Sequence, residues 1–204
     1  MPKCLVKVNG IPIINYQLHL VRNIPNVYIV VGYCEHDVME HVRHLRDDVI
    51  FVRNPNFKHT STLQSLALAA RGMNSMCICM DGDMVIEEQS FERFLAQCRS
   101  APPCIAVSPE ITTGPVYTYI QDEGGDLYAT GFGRERQSAY EWANIAWLPA
   151  SWLTFEYTHF YQRLHQYLPL AAVSIRRAEV DTAEDLDAAN ALLRDEPGYC
   201  RFFM

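Results

Sequence analysis

The 204-residue sequence predicts an α/β fold: an open, mostly parallel, twisted sheet with helices on both faces, plus a small β-hairpin region. Short β-branched runs alternate with segments of helical apolar spacing through the first half. Strands joined through helices need crossover connections, which place them parallel. Near residue 114 the pattern changes to local polar and apolar alternation about a Gly-Gly pair, the mark of a hairpin.

Taken in order, "CLVKV" and "VYIVVGY" are short runs suited to strands buried on both faces. Between them Ile14, Leu18 and Val21 recur at helical spacing. The stretch "CEHDVMEHVRHLRDD" predicts a surface helix with Val38, Val42 and Leu45 facing inward. Cys34, His36, His41 and His44 in that stretch are metal-ligating types, but the amphipathic pattern accounts for them. "VIFVR" follows as a strand, then the loop "NPNFKHT", then a helix "STLQSLALAARG" with Leu63, Leu66, Ala67 and Ala70 on one face.

"MCICM" is the next strand, and "DGD" separates it from a helix over 88–99 whose inward stripe is Phe91, Phe94, Leu95 and Cys98. "CIAVSP" is a further strand. The hairpin is "PVYTYIQDEGGDLYATGFG", turning at Gly124 and Gly125. "ANIAWL" and "VSIRRAEV" predict two more strands, with an aromatic helix in "WLTFEYTHFYQRLHQYL" between them. The last helix runs through "AEDLDAANALLR", with Thr182 as N-cap and Asp185 at N3 in a variant capping box, and Gly198 beyond its end.

The totals exclude several classes of function. A content of 49% hydrophobic and 20% charged residues describes a chain that folds. A net charge of −7 with scattered Lys and Arg argues against a nucleic-acid partner, because phosphate neutralisation needs clustered bases. No apolar run approaches the roughly 18 residues that span a bilayer, and no signal-peptide pattern opens the chain. Seven cysteines without a C-x-x-C pair suit reduced, mostly buried thiols. A cytoplasmic protein without a membrane partner is the expectation.

In open α/β sheets, ligands bind beyond the carboxyl ends of the strands. Asp81 and Asp83 follow "MCICM", and Asp181 follows "VSIRRAEV", so two strand ends deliver carboxylates. If adjacent, Asp83 and Asp181 suit magnesium, which binds oxygen and is held by one or two carboxylates plus substrate phosphates. Solvated loop carboxylates, or an N-cap at Asp181, fit the same pattern. Lys58, Thr60, Ser61, Thr62 and Ser65 surround a predicted helix N-terminus that can hold a base edge or an anion, or be capped by Ser61 or Thr62 alone. "TGFGRER" imitates a phosphate loop but lies in the hairpin region, where its glycines suit a turn while Arg134 and Arg136 remain able to reach an anion. Tyr140, Trp142 and Trp147 are the aromatics available for a trimethylammonium cage.

Together, "PKCLVKVNGIPIINYQL", "YIVVGY", "RNPNFKHTSTLQSLALA", "MDGDMVI" and "EVDTAEDLDAA" resemble, in the same order, the motifs of the nucleotidyltransferase family that includes the sugar-1-phosphate nucleotidyltransferases and the choline-phosphate and phosphonate cytidylyltransferases. The resemblance implies a Rossmann-like, GT-A-type fold. It further implies magnesium-dependent transfer of a nucleotidyl group from a nucleoside triphosphate, CTP by preference, to a small phosphorylated alcohol, phosphonate or sugar phosphate. Lys3 would be the catalytic phosphate contact, and Ser61, Thr62, Ser65 and Asp81 would bind nucleotide. Asp83 and Asp181 would hold Mg2+, while Glu141, Asn144 and Glu179 would bind the acceptor.

Family members carry a first strand and a Gly-rich loop ahead of the Pro-Lys pair, whereas this chain opens at Pro2-Lys3. One domain over 1–204 is therefore expected, shortened at its N-terminus by one strand and loop, roughly 20–30 residues. The alternatives are a catalytically silent nucleotide-binding module, or a glycosyltransferase of related fold using "DGD". The aromatic segment and the terminal "GYCRFFM" carry enough apolar surface to suggest a homodimer.

Overall fold

The computed structural model describes residues 1–100 and 103–194; Gly198, Cys200 and the terminal "GYCRFFM" lie outside them. In chain order the first elements are β1 (Lys7–Val8), β2 (Ile11–Pro12), α1 (Ile13–Leu20), β3 (Tyr28–Val31), α2 (Glu35–Arg43), β4 (Ile50–Arg53) and α3 (Thr62–Ala69). Next come β5 (Met76–Met80), β6 (Met84–Ile86), α4 (Glu88–Ser100), β7 (Cys104–Ser108), β8 (Tyr117–Glu123), β9 (Asp126–Gly133) and β10 (Tyr140–Pro149). The last are α5 (Phe160–Leu164), β11 (Leu170–Ser174), β12 (Arg177–Glu179) and α6 (Ala183–Leu192). The α/β class is the one the sequence predicts, but the six-stranded sheet is mixed where a mostly parallel one was expected.

Two compact units divide the chain, each discontinuous in sequence. The first comprises residues 1–60, 82–88 and the segment from Arg177 onward; the second comprises 61–81 and 89–176.

In the first unit, β3 and β4 form a parallel pair, with Tyr28 opposite Ile50 and Val31 opposite Arg53, and α2 makes the crossover. Ile14 and Leu18 of α1 pack with Val31, Val38 and Val42, so one apolar stripe from each helix closes over the pair. Leu45 is 43% exposed, contrary to the predicted inward position. The helix ends at Arg43, so Leu45 leaves the helical phase that would have turned it inward. "CLVKV" is also not one strand: Lys3–Leu5 form a 3-10 turn, and only Lys7–Val8 pair, with β2 across the Asn9–Gly10 turn. Both turn residues have positive φ, 48° and 84°, which Asn and Gly tolerate.

The second unit is built on a six-stranded sheet of order β5-β10-β7-β11-β9-β8. Strands β7 and β11 run parallel, and the other pairs in this sheet are antiparallel. The sheet is mixed because β10, returning from the hairpin, inserts between β5 and β7, which each pair with it instead of with one another. The predicted hairpin is β8–β9, with Gly124 and Gly125 at φ 72° and 104°. Its core side packs Phe132 edge-on to Trp142, and Trp142 edge-on to Phe160.

Two predicted elements change form. "VSIRRAEV" divides into β11 and β12, which belong to different sheets. The aromatic stretch forms only the short helix α5, flanked by 3-10 turns at Ala150–Trp152 and His165–Tyr167. Its β-branched and aromatic residues are mediocre helix formers, and Pro149 and Pro169 bound it on either side. Among the described residues no helix is long and apolar enough to cross a membrane.

Candidate functional site

The short antiparallel ladder of β6 and β12 is the frame of the site. Arg177 lies opposite Ile86 and Glu179 opposite Met84, and the Val180 amide extends the ladder by donating to the Asp83 carbonyl at 2.8 Å. The two carboxylate-bearing strand ends are thereby fixed side by side. Residues alternate across a strand, so buried Val180 turns into the core while its neighbours Glu179 and Asp181 share the opposite side. From the other direction, Gln17 on α1 donates to the Met84 carbonyl at 3.0 Å and holds β6 against the first helix.

Lys3 enters from the 3-10 turn at the start of the chain. Its ammonium hydrogen-bonds the Asp181 carboxylate and lies 3.2 Å from Asp83 Oδ2. Oxygens of Asp83, Glu179 and Asp181 lie within 4.8 Å of one another, the one such cluster of acidic, His or Cys side chains among the described residues. Asp83 Oδ1 is buried and has no hydrogen-bond partner there, although a buried carboxylate oxygen without a partner is costly.

The charges around this cluster are strongly coupled. Partial burial disfavours the Lys3 ammonium, but its hydrogen bond to Asp181 and the charge of Asp83 outweigh that, and its pKa lies above the ordinary lysine value. Burial pushes the Glu179 carboxyl up; Arg177, 3.3 Å away, opposes the shift, and the negative charges of Asp83 and Asp181 reinforce it.

Helix α6 begins immediately beyond. Thr182 is the N-cap and accepts from the Asp185 amide, while Asp185 Oδ2 accepts from the amides of Thr182 at 2.8 Å and Asp181 at 3.1 Å. The predicted capping box is formed. Because Thr182 does the capping, the Asp181 side chain serves Lys3 instead.

The structure thus brings together Lys3, Asp83, Asp181 and Glu179, all in the first unit. Glu179 was expected among acceptor contacts; its carboxylate clusters with the two aspartates. The E-x-D spacing of "EVD" at the end of a strand was the available signal.

The other predicted residues belong to the second unit. Ser61 is the N-cap of α3, in a capping box with Gln64; Thr62 is exposed, and Ser65 is half-buried on the first turn. Asp81 directly follows β5. Glu141 is 1% exposed, its Oε2 accepting from the Thr112 amide at 2.9 Å and hydroxyl at 3.1 Å. Asn144 has φ 57° at a bulge in β10, where the register shifts between Trp142 and Ala146. Bulges of this kind re-aim side chains and recur beside functional sites. Arg134 donates to the carbonyls of Gly114 and Pro115, and Arg136 lies 3.9 Å over the Tyr119 ring. Trp142, offered above for a cage, is 4% exposed and part of the core.

The family model for the MobA-like NTP transferase domain matches residues 1–194. The chain belongs to this family. For a MobA-like NTP transferase domain, nucleotidyl transfer is the class of chemistry that membership supports. Solved structures carry the same fold. The CTP:phosphocholine cytidylyltransferase of Streptococcus pneumoniae superposes with TM-score 0.71 at 16% identity, over 95% of this chain and 90% of that one. The inositol-1-phosphate CTP transferase of T. maritima gives 0.72 at 13% identity, over 96% and 89%. The UDP-glucose pyrophosphorylase of Acinetobacter baumanii gives 0.69 at 13% identity, over 99% and 90%. At these identities the likeness of the MobA-like domain to each is one of fold. No curated protein sequence matches the chain significantly.

Proposed function

We propose that the chain is a magnesium-dependent nucleotidyltransferase acting as one domain, transferring a cytidylyl group from CTP to the phosphate or phosphonate oxygen of a small acceptor. The observation that carries this reading is the convergence of Lys3 with three carboxylates from two other chain segments, one of them bearing a buried, unpartnered oxygen. The donor set is all oxygen, which suits a hard cation such as Mg2+, held by Asp83 and Asp181 with Glu179 as a third carboxylate. When bound, such an ion neutralises charge on phosphate oxygens.

The remaining work is positioning and charge neutralisation. An acceptor oxygen attacks the α-phosphorus, the bond from that phosphorus to the bridging oxygen breaks, and pyrophosphate leaves with the electron pair. Lys3 supplies a positive charge for the phosphates. Ser61, Thr62, Ser65 and Asp81 serve the nucleotide, and Glu141 and Asn144 the acceptor. The preference for CTP over other triphosphates rests on the similarity of "RNPNFKHTSTLQSLALA" to the cytidylyltransferase branch.

A pyrophosphate-release screen across four nucleoside triphosphates and a panel of phosphorylated acceptors, with Mg2+ or with EDTA, tests the proposal. Turnover should need the metal and be fastest with CTP. Asp83→Ala should abolish it, since losing one charge partner in such a site costs about 2–4 kcal/mol, or roughly 30- to 1,000-fold. Near wild-type release by Asp83→Ala would overturn the assignment.

A further inference from the structure

We infer that Lys3 is an internal counter-ion that occupies the acidic site in competition with the divalent cation, so that cation binding and release of the lysine are one coupled event. This rests on the metal assignment proposed above. Three carboxylates within 4.8 Å repel one another unless a positive charge stands among them. In this structure Arg177 pairs with Glu179 at 3.3 Å, and for the two aspartates that charge is the Lys3 ammonium, bound to Asp181 and Asp83. The same two carboxylates are the ones best placed to hold a cation, so a single oxygen set serves two positive partners.

The arrangement permits exchange. The Lys3 side chain is 54% exposed, on a flexible four-carbon stem, and its backbone is held separately: the Val6 amide donates to the Lys3 carbonyl at 2.9 Å. The ammonium can leave Asp83 and Asp181 without unfolding the turn that carries it. The Asp83 oxygen that Lys3 does not contact, Oδ1, stays buried without a hydrogen-bond partner among the described residues; the lysine satisfies the cluster only in part. A divalent ion brings twice the charge. Once displaced, the ammonium is free to meet an anion arriving at the same place, such as the triphosphate. Lys3 on this account is a positioning residue in the empty protein and a phosphate contact in the loaded one.

The test is calorimetric titration of the full chain with Mn2+ alone, without nucleotide. Lys3→Met removes the competing charge and keeps most of the stem; it should bind Mn2+ about tenfold more tightly than wild type, as expected for loss of two partly exposed ion pairs. Lys3→Arg, which keeps the charge, should bind no more tightly than wild type. Lys7→Met makes the same change in net charge at an exposed residue outside the ion pairs of the cluster, and should leave the affinity within twofold. Equal affinity for Lys3→Met and wild type, or an equal gain for Lys7→Met, would overturn the counter-ion role while leaving the metal site standing. Failure of wild type and Lys3→Met alike to bind Mn2+ would overturn the metal assignment, and this inference with it.

Discussion

Replacing Glu179 by Gln should stabilise the protein without metal and shrink the further gain that metal brings. The carboxylate has oxygens within 4.8 Å of Asp83 and Asp181 and lies 3.3 Å from Arg177. At an effective dielectric constant of about 20, a like-charged pair at that separation repels by ~3.5 kcal/mol and the arginine attracts by ~5 kcal/mol. Two repulsions against one attraction leave ~2 kcal/mol of net strain, which the Lys3 ammonium and solvent reduce to about 1 kcal/mol. The amide keeps the size and a hydrogen bond from Arg177 but loses the charge. In EDTA, Glu179→Gln should therefore melt about 2–4 °C above wild type. Added Mn2+ should stabilise it less. At ten times the dissociation constant a ligand adds ~1.4 kcal/mol of stability, and a tenfold weaker site at the same concentration adds only ~0.4 kcal/mol. Paired thermal melts, with EDTA and with saturating Mn2+, read both quantities. A variant that melts lower in EDTA and keeps the whole metal-induced gain would show that Glu179 is not a member of the acidic cluster.

Two further substitutions probe the frame. Gly32→Ala would put a Cβ 2.6 Å from the Phe57 Cβ and 2.8 Å from its Cγ, atoms too near the backbone to swing aside; a loss of about 1–3 kcal/mol in urea unfolding is expected, partly restored by Phe57→Gly in the same chain, which removes both atoms. Thr182→Ala removes the N-cap of α6 and should cost about 1 kcal/mol in the same measurement, and because that cap adjoins Asp181 it should also weaken Mn2+ binding in calorimetry.

What could be read from the sequence followed from how local the signal was. The stripe of Phe91 and Phe94 on α4, the Gly124–Gly125 turn and the Thr182–Asp185 capping box each depend on residues a few positions apart, and each formed as expected. Asp83 and Asp181 were legible because both follow strands, a rule of topology that needs no distance. The membership of Glu179 in their cluster was not, since it follows from the register of β12 against β6, a pairing of segments more than ninety positions apart. The insertion of β10 between β5 and β7 was hidden for the same reason. In the stretch "CLVKV" the β-branched valines suggest a strand, yet the chain turns at Lys3–Leu5, and that turn delivers the lysine to the carboxylates.

Lys3 and Asp181 stand 178 positions apart in sequence and are in direct contact. During synthesis the chain grows from the N-terminus, so the lysine and Asp83 emerge long before their third and fourth partners. A nascent chain that stops short of Val180 contains every strand of the six-stranded sheet but lacks Asp181, and so cannot complete the acidic cluster. The acidic cluster is thus completed last, when Asp181 joins Lys3 and Asp83.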